Sequence, residues 1–134
     1  MKRIYLPAML PLIILLTFGS CVKDKPVISA HTYRTFRFQL YTEKDFSNNN
    51  QDIVFSVVIK NHDNILFDSV LAPMKIKDIP AKANQLIIEK TIAAQNYNEL
   101  AAGFRYTIEN VGNSWYTDTS RAGETFKEID FSFQ

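Results

Sequence analysis

The chain holds a single cysteine, Cys21, so no disulfide can form within it. Four glycines are too few for a glycine-rich phosphate loop. No G-x-S-x-G stretch offers a nucleophile elbow, and Ser114 in "GNSW" reads as a turn residue. The two histidines, His31 and His62, lie far apart, and zinc wants several ligands with outer support. "NHDN" and "YTDTS" fit the alternating carboxylates of a calcium loop poorly. The acidic residues are scattered over outward positions, as on a solvated face, with no pair set apart for sugar hydrolysis. The expectation is a non-enzyme with no cofactor and no metal. Charge of one sign is missing too. The formal net charge is +1, and without Lys2 and Arg3 the balance is 13 basic against 14 acidic residues. Nucleic acid, which demands a basic patch, is thereby excluded as a partner.

Long apolar runs are scarce, and the one present is at the start. Ile4 to Phe18 is apolar apart from Thr17, and Lys2 and Arg3 precede it. A helix needs about 20 apolar residues to cross a bilayer core. This run is shorter, and Pro11 inside it would remove a helical hydrogen bond. A basic start, a brief apolar core and the small residues Gly19 and Ser20 fit a removed secretory signal over residues 1–20.

"FGSC", residues 18–21, puts the cysteine directly behind those small residues. It resembles the lipobox of bacterial lipoproteins, with Phe18 where the commonest form has leucine. The resemblance implies cleavage before Cys21 and acyl groups, palmitate among them, on its sulfur and amine. Two or more chains anchor a protein stably, where one binds only marginally. Val22 is not the aspartate that retains many enterobacterial lipoproteins in the inner membrane, which favours the outer membrane. "KDK", residues 23–25, is similar to the charged export tags of surface lipoproteins in Bacteroidota. Residues 21–32 then read as a lipidated tether. Removing residues 1–20 leaves 114 of the 134, enough for one domain.

From Tyr33 onward the chain is rich in Phe, Tyr, Ile, Val and Thr, which suit pleated surfaces. Phe36, Phe38 and Leu40 share one face, with Arg34 on the same parity. Ile53, Phe55, Val57 and Ile59 form a second inward face, and Ile65, Phe67, Ser69 and Leu71 a third. Met74 and Ile76 alternate with Lys75 and Lys77, as in an edge strand that discourages pairing. Leu86, Ile88 and Ile92 oppose Ile87, Glu89 and Thr91; Phe104, Tyr106 and Ile108 oppose Arg105, Thr107 and Glu109. Ile129, Phe131 and Phe133 close the domain. "AAQNYNELAAG" is the least β-like piece and is expected to hold a helical turn. "WYTDT" reads as a short strand or loop. The sum is an all-β fold, an immunoglobulin-like or fibronectin type III-like sandwich of seven to eight strands over residues 33–134.

"LAAGFRYTIE" has Leu100, Gly103, Tyr106 and Ile108 at the spacings L-x-x-G-x-x-Y-x-I. This resembles the corner before the sixth strand of fibronectin type III domains, and it implies a Tyr106 hydroxyl bonded back to the backbone. The tryptophan of that family's second strand is missing; Phe55 or Val57 stands there.

Trp115 and Tyr116 are adjacent, so a strand would point them to opposite faces. The plain reading has Trp115 covering the end of the core and Tyr116 capping a hairpin. The functional reading makes Trp115 and Tyr116, with Tyr97 in the irregular segment, an aromatic binding platform. The function expected is a small envelope lipoprotein, outer-membrane anchored through the lipid on Cys21, with a non-catalytic sandwich that binds an envelope protein or glycan. One alternative is a carbohydrate-binding module using Trp115 and Tyr116. Another is a pilin-like subunit that exchanges strands, which expects an incomplete sheet with an open apolar edge.

Overall fold

The computed structural model describes residues 31–134. The signal reading of residues 1–20, the lipidation of Cys21 and the tether up to Ala30 lie outside the described residues. Eight strands form two packed sheets: β1 (His31–Thr42), β2 (Asp52–Asn61), β3 (Asn64–Val70), β4 (Met74–Lys75), β5 (Leu86–Gln95), β6 (Leu100–Ile108), β7 (Gly112–Ser120) and β8 (Phe126–Phe133). The first sheet runs β5-β1-β8 and the second β3-β2-β6-β7, with β4 beside β3 on the edge of β2. The fold is an all-β sandwich.

In immunoglobulin-like sandwiches the second strand lies between the first and the fifth. Here β1 and β5 pair antiparallel like that second and fifth strand, and β3-β2-β6-β7 pairs like the other sheet. The first-strand place is filled from the other end of the chain. There β8 runs parallel to β1, from Thr35 opposite Phe126 to Thr42 opposite Phe133.

Alternation makes the core. Phe36, Phe38 and Leu40 from β1, Ile53, Phe55, Val57 and Ile59 from β2, and Ile129, Phe131 and Phe133 from β8 are all buried. Phe104 joins the two layers. Its ring lies 5.7 Å from Phe38, 6.4 Å from Phe55 and 5.4 Å from Phe131. Such aromatic pairs are worth about 0.5–1.5 kcal/mol each beyond the area they bury.

Arg34 has core parity and is buried with the core, at 1% exposure. Its guanidinium donates to the Asn98 carbonyl (2.6 Å), the Arg121 carbonyl (2.7 Å) and the Ser120 hydroxyl. Ser120 ends β7, and Asn98 and Arg121 belong to the β5–β6 and β7–β8 connections. The Gly123 amide also donates to the Asn96 carbonyl across them, at 2.8 Å. One buried cation thus pins two turns at one end of the sandwich. Burial pushes its pKa down, and Glu124 partly opposes this.

Several expectations are corrected. β1 begins at His31, two residues before Tyr33. "AAQNYNELAAG" holds no helical turn: β5 runs to Gln95, four residues turn, and β6 starts at Leu100. Only Met74–Lys75 of the expected edge strand pairs; Ile76 opens a 3-10 turn and is buried. The register shifts between Ile59 and Lys60, setting Ile65 opposite Lys60 and turning it outward, 54% exposed. The corner at Tyr106 is not formed as the motif implies. Leu100, Gly103 and Tyr106 all lie inside β6, paired to β7 throughout. Tyr106 instead packs its ring against Phe55, Phe131 and Phe133.

Candidate functional site

β7 decides where the aromatics go. It spans nine residues, longer than the short strand or loop expected. Trp115 stands opposite Arg105 and Tyr116 opposite Phe104. Phe104 is core, so Tyr116 turns inward and stacks on Phe131 with ring centroids 4.8 Å apart. Burial, helped by Asp118, raises the Tyr116 hydroxyl pKa. Trp115 takes the opposite face and is 47% exposed. It therefore does not cover the end of the core, and Tyr116 is a packing residue at the core's rim. Tyr97 is exposed in the β5–β6 turn. From Leu100, where that turn ends, to Arg105 is a rise of five strand positions, roughly 17 Å at the usual spacing. The structure does not bring Tyr97 to Trp115.

Register assembles the outer face of the second sheet. One row across it reads Val70, Ser56, Arg105, Trp115; the next reads Val54, Thr107, Asn113. Between the rows is a shallow groove of about 330 Å³, with Val54 and Val70 on one flank. Arg105 crosses the middle. Its Nη2 donates to Asp68 at 2.9 Å and to the Ser56 hydroxyl at 3.3 Å. The Thr107 hydroxyl donates to Asn113 Oδ1 at 2.6 Å. The indole is held by cations: Lys60 Nζ lies 4.1 Å from the ring centroid and the Arg105 guanidinium carbon 5.4 Å. Sequence reading singled out Trp115 and missed Lys60, Arg105 and Asn113. Their outward parity was legible; their meeting around one ring depends on three strands' registers.

The first sheet's outer face is different. Arg37 is bonded to Glu89 at 2.7 Å and lies 3.9 Å from Glu128, while the Thr35 and Thr91 hydroxyls bond to each other. Its charges answer one another across three strands.

His62 sits in the β2–β3 turn with its Nδ1 2.9 Å from Asn61 Oδ1, and His31 begins β1. Among the described residues no group of three or more His, Cys, Asp or Glu side chains is placed to hold a metal ion. Among the described residues, too, no helix is long and apolar enough to cross a membrane. No protein-family model, curated protein or solved structure matches this chain.

Proposed function

We propose that the protein is a lipid-anchored component of a bacterial outer membrane, whose sandwich binds an envelope partner without catalysis through the outer face of the second sheet. The lipobox-like "FGSC" supports the anchor. One observation carries the binding face. Its only tryptophan, Trp115, stands half-exposed beside a groove that contains a charged side chain. Tryptophan and arginine are the residues over-represented at binding hot spots, and a rigid sheet presents them with little ordering cost. The strand-exchange alternative expects an incomplete sandwich, and here the chain's own β8 occupies the first-strand place with three core residues.

A photo-crosslinking residue at Thr117, exposed on the same face of β7, tests the binding face in living cells. It is expected to capture an envelope component that the same residue at Thr91, on the outer face of the first sheet, does not. Capture from Thr91 alone would overturn the assignment of the face. Intact-mass analysis tests the anchor separately: a mature chain without acyl groups on Cys21 would reject it.

A further inference from the structure

We propose that the groove beside Trp115 takes an acidic saccharide, a sugar ring bearing a carboxylate. This rests on the reading that the outer face of the second sheet is the binding face, and it names the ligand class.

The argument is one of donors and acceptors. Asp68 is the carboxylate bonded to Arg105, and it engages Nη2 alone. Arg105 Nε and Nη1 hold no partner among the described residues. Asn113 accepts the Thr107 proton on its oxygen, so its amide nitrogen keeps two protons to give. Lys60 has no carboxylate partner among the described residues and rests its ammonium against the indole. Ser56 is buried and already accepts from Arg105. The groove is thus rich in unspent donors: its one charged side chain, Arg105, meets Asp68 through a single nitrogen, and Lys60 adds a second cation beside it, over the indole. It favours a ligand rich in acceptors and negatively charged.

The remaining surface is apolar. Val54 and Val70 flank the groove, and Trp115 leaves part of its ring open. A pyranose has an apolar C–H face and a rim of hydroxyls, and a sugar acid adds one carboxylate. That combination matches an indole and two valines beside a guanidinium, an ammonium and an amide. A groove of about 330 Å³ is at the small end of ligand sites, the scale of one or two sugar rings. A bare anion would leave the valines and the indole unused. A neutral sugar would leave Lys60 unanswered.

Trp115 is the only tryptophan, so fluorescence of the full chain in detergent micelles reads this site directly. The probes are trigalacturonate, its methyl-esterified form and inorganic phosphate, with calorimetry on the same samples for any binding silent in emission. The expected result is a saturable response to trigalacturonate, about tenfold weaker for the ester and for Lys60→Gln, which corresponds to about 1.4 kcal/mol. Asn113→Ala is expected to weaken binding while leaving the unfolding midpoint in place. Equal affinity for acid and ester would overturn the acidic class and leave the binding face standing. Phosphate binding as tightly as the saccharide would overturn the sugar. No binding of any probe to folded protein by either measurement would overturn the proposal. Crosslinking from Thr117 would then still decide whether the face binds something else.

Discussion

Replacing Arg34 with methionine tests the reading of the sandwich most sharply. Methionine has a similar length and no charge. The substitution removes three donated hydrogen bonds, one to the buried Ser120 hydroxyl and two to the part-buried carbonyls of Asn98 and Arg121. A buried acceptor left without its donor costs about 1–3 kcal/mol. Against this, burying a guanidinium is itself costly, and its Nε has no partner here, so methionine recovers part of the loss. The expected net is about 2–4 kcal/mol of lost stability, a fall in midpoint of about 10 °C or more for a domain of this size. Arg34→Lys should lose nearly as much, because one ammonium cannot reproduce a planar fork reaching two connections. Arg37→Met is the control. It lies three residues along the same strand on the outer face, in exposed ion pairs worth at most about 1 kcal/mol. Thermal unfolding compares the three. Hydrogen exchange adds a local readout, since the Gly123 amide bonded to Asn96 should lose protection in Arg34→Met. If Arg34→Met proves as stable as the parent, the guanidinium is not a clamp, and its burial must be explained otherwise.

Gly103→Ala should destabilise the sandwich by about 3 kcal/mol or more, because a Cβ there would stand 1.9 Å from the Tyr116 carbonyl oxygen and β7 would have to move. Denaturant unfolding with a midpoint near the parent's would contradict that close approach. Trp115→Ala should cost under about 1.5 kcal/mol, far below the 3–5 kcal/mol of a core tryptophan, since the ring is half in solvent; a loss in the core range would return Trp115 to packing. The hydrogen bond from Lys127 lowers the Asp118 pKa below the ordinary carboxylate value. A lowered folded pKa adds stability that is complete above the unfolded value of about 4 and is lost as pH falls through the folded one. Asp118→Asn should therefore lower stability slightly at neutral pH and match the parent in strong acid, and a constant difference across that window would refute the linkage.

What the sequence disclosed, and what it hid, follows from how many strands each feature needs. The inward sets of β1, β2 and β8 are single-strand properties, and Phe36, Phe38, Leu40, Phe55, Phe131 and Phe133 are buried as their alternation requires. β7 is hard to read because only Tyr116, Asp118 and Ser120 along its length are turned away from solvent, and a mostly exposed polar strand has little apolar alternation to show. Ile65 was misplaced by a register shift, which no pattern within β3 records. Arg34 showed its parity but not its task, since its partners lie 64 to 87 residues away. The parallel course of β8 was invisible for a deeper reason. Alternation tells which residues face inward and is the same read in either direction.

The two outer faces bear on how an anchored protein would present itself. β1 belongs to the first sheet, and its first residue, His31, pairs with Gln95 at the end of the sandwich that carries the β5–β6 turn. β6 leaves that same end at Leu100 and reaches Thr107 near the other. The groove of Thr107 and Asn113 therefore lies toward the end remote from His31, and on the sheet to which β1 does not belong. A lipid on Cys21 would be separated from His31 by nine residues, a reach of at most about 35 Å when fully extended. The first sheet's outer face, with Arg37, Glu89 and Glu128 spent on one another, offers a partner less than the face where Lys60, Arg105 and Asn113 keep donors in hand. His31 and the groove thus stand at opposite ends of the sandwich, so a tether entering at His31 leaves the groove clear of it.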